Sequence, residues 1–267
     1  MKITIITPSY NQAHFLPKTI ESVISQEGNF EIEYIIADGG STDNSVEIIK
    51  KYDRLIKDKI YPIKCNNITY VWLSRKDKGQ AAAINQGILK ASGDIIAYLN
   101  SDDVYCAGTF GKVVEAFQTN RKRVWLTGYC RIIDEKGITI QKLITYYKNL
   151  WLRHYSYNKL CTTNFIAQPA TFWRPLIHKK AGYFDEGLHY TFDYDFWLRT
   201  GKKFDPIVIK NYLANFRIHS QSKGCQGYER QFDDDLDIIN RYSHNKYTRA
   251  LHWLNNTLIK VVYKIIK

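Results

Sequence analysis

Short apolar runs alternate with amphipathic segments through the first half of the chain. Four of the runs predict strands, over 2–7, 33–37, 70–73 and 95–100. The segments that follow them predict helices, over 15–26, 44–52, 80–91 and 107–118. Strands that alternate with helices are typical of an α/β fold with a mostly parallel, doubly wound sheet. Ligands bind such sheets beyond the carboxyl ends of the strands, so the residues that follow each strand are the first candidates for a site.

The second half of the chain has a weaker pattern. Its apolar positions predict two strands, over 124–133 and 137–143, joined by a turn at Asp134–Gly137. Residues 145–165 are rich in Tyr, Trp, Asn and Lys and show no clear period, which suits a binding loop or a partly buried irregular segment equally well. No repeat or low-complexity linker marks a domain boundary.

The last 21 residues, 247–267, have the spacing of an amphipathic helix. One face carries the apolar residues Leu251, Leu254, Leu258, Val262 and Ile265. The opposite face carries Arg249, Lys260, Lys264 and Lys267, with Trp253 among them. The last acidic residue is Asp237, so this basic face has no negative charge to offset it. Such a helix is expected to lie in a membrane interface, in preference to docking on the core with its basic face in water.

Composition narrows the class of protein further. The chain has 267 residues, 45% of them apolar, and a formal net charge of +12. The charge suits nucleic acid, an anionic membrane surface, or a surface kept basic for solubility. A nucleic-acid partner is not expected, because the basic groups are dispersed, as at Arg121–Arg123, Lys179–Lys180 and Lys202–Lys203.

Cysteines and segment lengths indicate the compartment. The five cysteines, at 65, 106, 130, 161 and 225, are odd in number and lack C-x-x-C spacing. This argues against a disulfide framework or a zinc knuckle and favours reduced thiols in the cytosol. The N-terminus, Met1–Pro8, does not read as a signal peptide, and no stretch is long enough to span a bilayer.

The strongest chemical motif is Asn100-Ser101-Asp102-Asp103, directly after an apolar strand. Adjacent carboxylates repel each other and need a counter-charge. A divalent cation with oxygen ligands would supply it and would stabilise a departing diphosphate. Capping of the following helix by Ser101 or an Asp explains the motif equally well.

Two further motifs suit a nucleotide. In Ala37–Asp43, two glycines allow close approach to the backbone, and Asp38 can accept a hydrogen bond from a base. In Arg75–Gln80, basic side chains precede a helix N-terminus, and both favour phosphate. Taken alone, the first motif is more simply a turn with a helix cap, and the second is more simply a solvated charged loop.

Two motifs in the second half can supply a base and a metal ligand. Asp193 and Asp195 stand among aromatic residues on a predicted helix, two positions apart, so at most one of them faces a given site. That one can act as general base for an acceptor hydroxyl, whereas pairing with Arg or Lys is the simpler interpretation. His219 is a candidate metal or phosphate contact, although a lone His is more often structural.

Taken in order, these motifs resemble the family-two inverting glycosyltransferases with the GT-A fold, over residues 1–220. The resemblance rests on Thr7–Asn11, Ala37–Asp43, Asp77–Gln80, Asn100–Asp103, Gln168–Trp173, Phe184–Glu186 and Asp193–Arg199. It implies a Rossmann-like sheet flanked by helices, with a C-terminal amphipathic helical extension. The implied domain is 1–220, with a nucleotide-binding half over about 1–105 and an acceptor half over about 106–220, and the extension is 221–267.

The resemblance also implies roles for particular residues. The nucleotide is assigned to Thr7, Pro8, Tyr10, Asp38, Lys78, Gln80 and Ser101. A Mn or Mg ion is assigned to Asp102 and His219, with Asp103 as a further candidate, and Asp193 is the catalytic base. The chain departs from the family pattern at three positions: Asn100 and Phe192 replace acids, and Ala37 replaces an acid of the glycine turn.

The implied reaction moves a sugar from a nucleotide diphosphate sugar, with UDP favoured, to a hydroxyl of a saccharide or lipid-linked saccharide. The transferred group would be a hexosyl or N-acetylhexosaminyl unit, with inversion, in cell-surface polysaccharide synthesis at the inner face of the membrane. A sugar-phosphate nucleotidyltransferase would instead carry a Gly-rich, Arg-containing loop where this chain has Thr7–Asn11. A non-catalytic module of a polysaccharide assembly is the other alternative.

Overall fold

The computed structural model describes residues 1–222 and 228–266, with the side chains of 228–230 and 262–266 left out. Its first half is a parallel sheet in the order β3–β2–β1–β4. These strands are β1 Lys2–Ser9, β2 Gly28–Asp38, β3 Cys65–Ser74 and β4 Ile95–Tyr98. The helices between them are α1 Leu16–Ile24, α2 Ser45–Lys57 and α3 Gln80–Lys90. The predicted alternation of strands and helices is confirmed.

The sheet continues from β4 as β8–β6–β9–β5, with β7 paired to β6. The elements are β5 Val104–Tyr105, α4 Thr109–Thr119, β6 Trp125–Ile133, β7 Thr139–Ile140, β8 Thr171–Trp173 and β9 Ile207–Arg217. Strand β8 is antiparallel to both neighbours, β6 and β9 are parallel, and β5 is antiparallel to β9. Strands β4 and β5 stand at opposite ends of this strand order, yet only a short segment joins them. The sheet therefore curls, and this segment crosses from one half to the other.

Residues 142–153 and 157–160 form helices, contrary to the sequence prediction. Strand β7 ends at Ile140, and α5 Lys142–Arg153 and α6 Tyr157–Leu160 follow. The buried residues of α5 are Thr145, Asn149 and Leu152, whereas Leu143 is 82% exposed. Because two of the three buried positions are polar, the helical period is invisible in the apolar residues alone.

Side chains alternate between two apolar cores, one on each face of the sheet. Along β4, Ile95 and Ala97 join one core, whereas Ile96 and Tyr98 join the other. The second core also holds α7 Leu176–Ala181 and α8 Phe192–Gly201 close to the sheet, whereas Ala170 of the 3₁₀ turn Gln168–Ala170 belongs to the first core. This packing places the N-terminus of α8 beside the end of β4.

The C-terminal extension comprises α9 Tyr228–Tyr242 and α10 Lys246–Ile266. Helix α9 buries Ile238 and Ile239 completely. Helix α10 docks through polar side chains, since His252 and Asn256 are buried. The predicted apolar residues Leu251, Leu254 and Leu258 are instead 44–55% exposed. Four residues predicted for this helix lie outside the described side chains: Val262, Lys264, Ile265 and Lys267. Cys225, which precedes α9, lies outside the described residues.

Candidate active site

The carboxylate of Asp38 organises the turn after β2. Its Oδ2 accepts hydrogen bonds from the backbone N–H groups of Gly40 and Ser41, at 3.1 and 2.9 Å, and from the Ser74 hydroxyl at 2.6 Å. Its Oδ1 accepts a 2.5 Å bond from the Ser41 hydroxyl. Asp38 is buried, and Gly40 has a φ of +83°, a conformation that favours glycine. The predicted turn forms, and Asp38 holds it together.

An exposed surface formed by Tyr10 lies beside that turn. A Cβ at Gly39 would meet Asp77 Oδ2 at 3.1 Å and the Tyr10 ring at 3.4 Å. Tyr10 is 59% exposed, so its ring face is available for stacking. The Thr7 hydroxyl, by contrast, is buried and lies 3.0 Å from the Tyr34 hydroxyl, and Pro8 is buried as well. Of the residues predicted for the nucleotide, Tyr10 forms this surface, and the side chain of Thr7 points into the core.

The N-terminus of α3 lies against the acidic segment that follows β4. The Gln80 amide donates to Asn100 Oδ1 at 2.7 Å. Gly79 precedes the helix with a φ of +114°, and Lys78 is exposed beside it. Backbone N–H groups at a helix N-terminus favour an anion, so this corner suits a phosphate. Ser101 is buried, and its carbonyl accepts a 2.9 Å bond from Thr19.

Asp102 and His219 meet at this corner. The distance from His219 Nε2 to Asp102 Oδ2 is 3.0 Å. Two donors on adjacent positions of an octahedral ion, with bonds of about 2.1 Å, are about 3 Å apart, so the pair fits one Mg or Mn ion. Within residues 1–222 and 228–266, no three His, Cys, Asp or Glu side chains form a ready-made metal cluster. Such an ion would take its other ligands from diphosphate and water, as Mg commonly does.

Asp103 has a different environment from Asp102. It is fully buried, and its Oδ1 accepts a 2.8 Å bond from the backbone N–H of Arg217, while its Oδ2 accepts a 3.3 Å bond from Asn100. Burial, followed by the neighbouring charge of Asp102, holds the pKa of Asp103 well above its usual range. Asp103 therefore ties the acidic segment to β9 rather than facing solvent.

Arg217 is a site residue that sequence reasoning missed. Its guanidinium is buried and donates to the carbonyls of Asp102, at 2.8 Å, and of Asp134, at 2.9 Å. It thereby fixes the backbone of the proposed metal ligand. The sequence feature that could have indicated Arg217 is its position at the end of a strand, two residues before His219.

The two acids of α8 separate as the helical spacing predicts. Asp195 is buried and is bound by Arg199 at 2.8 Å and by the Tyr242 hydroxyl at 2.5 Å. Asp193, in the first turn, is partly exposed, and its Oδ1 accepts the N–H of Tyr194 at 2.8 Å. Asp193 is therefore the acid of this pair that can reach a substrate.

Tyr98 connects the two acidic regions. Its ring centroid lies 6.3 Å from that of Phe192, the residue before Asp193. The pKa of Tyr98 is raised by burial and then by the charges of both Asp193 and Asp103. The Asp193 carboxyl and the Asn100–Asp103 segment therefore lie at the same end of β4. Gln168 braces this end, because its amide donates to the Tyr98 carbonyl at 2.7 Å, and its buried Oε1 has no partner among the described residues.

Comparison with known sequences identifies relatives of this arrangement. The family described as Glycosyl transferase family 2 matches residues 4–181. An uncharacterized glycosyltransferase from Nostoc sp. is 36% identical over 145 residues, which are 54% of this chain and 41% of that protein. An uncharacterized glycosyltransferase from Methanocaldococcus jannaschii is 27% identical over 258 residues, covering 95% of this chain and 80% of that protein. The chain thus spans less than half the length of the Nostoc relative.

Solved structures share the fold. TarS 1–349 from S. aureus, in complex with UDP-GlcNAc, matches with a TM-score of 0.65 at 17% identity, over 96% of this chain and 72% of that one. The mannosyltransferase PcManGT from Pyrobaculum calidifontis, in complex with GDP-Man and Mn2+, matches with a TM-score of 0.66 at 13% identity, over 96% and 69%. At these identities the likeness concerns the fold, and it confirms the GT-A architecture. Because the family match covers more than half of the sequence, the chain belongs to glycosyl transferase family 2.

Proposed function

We propose that this chain transfers a sugar from a nucleotide diphosphate sugar to an acceptor hydroxyl, with inversion at the anomeric carbon. One observation carries the proposal. Asp193 and the Asp102–His219 pair lie at the same end of β4, with Tyr98 between the two acidic regions. This shared location supports a base for the acceptor and a holder for the diphosphate that act at one end of β4.

The donor side uses the first half of the sheet. Tyr10 and Asp77 flank Gly39, where a nucleotide base can stack and hydrogen-bond. Lys78, Gln80 and the N-terminus of α3 face the diphosphate. Asp102 and His219 would hold a Mn or Mg ion, and such an ion supplies positive charge to the departing diphosphate.

The acceptor side uses α8. The acceptor oxygen attacks the anomeric carbon from the face opposite the diphosphate, and the bond from that carbon to the diphosphate oxygen breaks. The acceptor proton passes to Asp193, which acts as general base. A single displacement of this kind inverts the configuration.

Both similar structures hold a nucleotide sugar, which supports a donor of this class. TarS is solved with UDP-GlcNAc and PcManGT with GDP-Man. We propose a UDP-sugar with a hexosyl or N-acetylhexosaminyl unit for this chain, and a saccharide or lipid-linked saccharide of a cell-surface polysaccharide as the acceptor. The nucleotidyltransferase alternative has no support from these neighbours.

The exposed apolar face of α10 supports a membrane partner. Tyr247, Leu251, Leu254, Leu258 and Val261 recur at helical spacing and are 44–87% exposed. In the described part of the chain, no helix is both long and apolar enough to cross a bilayer. A helix that rests on the domain and turns leucines outwards can lie in an interface, and the net charge of +12 favours anionic lipid. We propose peripheral binding at the inner face of the cell membrane.

Ligand-dependent stability tests the donor assignment. A ligand that binds only the folded chain raises its melting temperature. We expect UDP and UDP-sugars to raise it in the presence of Mn, with a smaller rise after chelation, and UDP-sugar with acceptor to yield an inverted product. Stabilisation by no nucleotide diphosphate, with or without Mn, would contradict the proposed function.

A further inference from the structure

Helix α9 packs directly onto the helix that carries Asp193. Its buried residues Ile238 and Ile239 share a core with Phe192 and Tyr194 of α8. Its last residue, Tyr242, donates a 2.5 Å hydrogen bond to Asp195. Positions 235, 238, 239 and 242 lie on one helical face, so Asp235 belongs to the face that contacts α8.

Asp235 is an unusual residue for a packed face. It is 4% exposed, and its Oδ1 is buried with no hydrogen-bond partner in the described part of the chain. A buried carboxyl oxygen without a partner is costly, so a side chain of this kind is a strong candidate for a functional role. Asp233, on the same helix, is 71% exposed and pairs with Lys260 at 2.8 Å, which is the ordinary environment of an acid.

The charged groups around Asp235 come from three helices. They are Asp193 of α8, Lys148 of α5 and the neighbouring Asp234. Burial and then the charge of Asp193 hold the pKa of Asp235 well above its usual range, while Lys148 opposes the shift. Burial lowers the pKa of Lys148, and Cys130, Asp193 and Asp235 oppose that change in this order. Burial, followed by the neighbouring Asp235, raises the pKa of the Tyr194 phenol.

We propose that Asp235 is a positioning residue for Asp193: from the face of α9 that packs on α8, its carboxyl group, together with Lys148 of α5, holds the Asp193 side chain in the orientation of a base. This rests on the proposed function, in which Asp193 takes the acceptor proton. A neutral acid can donate a hydrogen bond to a carboxylate, and an ammonium favours its charged form. The residue before Asp193 is Phe192, so the acid proposed to orient the base comes from the C-terminal extension.

The first experiment measures the coupling without any assay of activity. Melting temperatures are compared from pH 4 to pH 8 for the unaltered chain, Asp235→Asn, Asp193→Asn and the double variant. A carboxyl with a raised pKa in the folded state adds stability at low pH that is lost as pH rises. We therefore expect Asp235→Asn to equal the parent at pH 4 and to melt a few degrees higher at pH 8.

The difference in melting temperature at pH 8 should shrink when Asp193 is also replaced, because the charge of Asp193 is one cause of the raised pKa of Asp235. The exposed Asp237→Asn, on the same helix, is the matched control and should change little at any pH. An equal difference with and without Asp193, or no difference at all, would overturn the coupling. These measurements decide the point whatever reaction the protein catalyses.

The second experiment measures transfer. At neutral pH, Asp235→Asn keeps a neutral donor in place, so kcat should stay within about threefold of the parent. Asp235→Leu should lower kcat by at least about 10-fold, with the donor KM and the melting temperature preserved. A normal kcat for Asp235→Leu would refute the role. Absence of transfer by the unaltered chain would instead count against the proposed function.

Discussion

His219 Nε2 lies 3.0 Å from Asp102 Oδ2, although 117 positions separate the two residues in the chain. The contact forms because β5 pairs with β9, which brings the segment after β4 to the end of β9. Arg217 reinforces it by donating to the Asp102 carbonyl at 2.8 Å. The two halves of the sheet therefore meet at the proposed diphosphate site.

His219→Gln should weaken the dependence on Mn. The variant removes one of the two proposed protein ligands, so the Mn concentration for half-maximal transfer should rise at least about 10-fold. Titration of Mn into chelator-treated protein measures this. His244→Gln, at an exposed position between α9 and α10, is the control. Equal Mn curves for His219→Gln and the parent would remove His219 from the metal site.

Asp193→Asn should abolish most turnover. The amide cannot take the acceptor proton, so kcat should fall by about 10²-fold or more, with nucleotide binding nearly intact. Steady-state kinetics and the melting shift caused by the donor measure the two effects.

Asp195→Asn is the comparison variant for Asp193. Asp195 is bound by Arg199 and Tyr242, so its replacement should cost about 2 kcal/mol of unfolding free energy and spare the chemical step. Loss of turnover in Asp195→Asn, with turnover retained in Asp193→Asn, would reverse the assignment of the two acids.

Asp38→Ala should destabilise the fold. The carboxylate accepts hydrogen bonds from Gly40, Ser41 and Ser74, and the loss of these bonds should cost about 3 kcal/mol. Denaturant titration measures it. Asp38→Asn keeps the size of the side chain, so its affinity for UDP tests a direct contact with the base. An unchanged affinity would limit Asp38 to the turn.

The regular half of the fold could be predicted from sequence because its apolar pattern and its structure agree. Strands β1, β2 and β4 are mainly apolar and buried, and β2 ends at the polar residue Asp38. Helix α5 could not be predicted, since it buries Thr145 and Asn149 and exposes Leu143. The docked face of α10 could not be predicted for the same reason, since it buries the polar residues His252 and Asn256.

Within the candidate site, sequence spacing separated Asp193 from Asp195 correctly. It could not show that Asp103 is buried behind Asp102, because the burial depends on the backbone N–H of Arg217 in a distant strand. Asp235 escaped notice for a related reason. It stands in the acidic run Asp233–Asp235, which resembles a solvated face until α9 is packed on α8.

His252 should make the docking of α10 sensitive to acid. Its Nδ1 donates to the Cys161 carbonyl at 3.2 Å, and its Nε2 accepts from Asn256 at 3.1 Å, which is the neutral form. Burial lowers the pKa of His252 to about 4. A lowered pKa means that the stability is complete above the ordinary value of about 6.5 and is lost as pH falls towards 4.

This loss should reach about 3 kcal/mol and should first appear as faster amide exchange along α10 between pH 6.5 and pH 4, after correction for the intrinsic rate. His252→Gln should flatten the pH dependence. An exchange profile for α10 that does not change across this range would contradict the prediction.

The apolar face of α10 should determine binding to vesicles. Leu254 and Leu258 are 46% and 55% exposed, and burial of each in the interface should contribute about 1.5 kcal/mol. The chain should therefore sediment with anionic vesicles, less so at high salt and less so with neutral ones. The variant Leu254→Glu/Leu258→Glu should lower the partition coefficient at least about 10-fold, without a change in melting temperature. Leu143→Glu, which alters an exposed leucine of α5, should bind like the parent, and an equal loss in this control would show that the leucines of α10 have no special role.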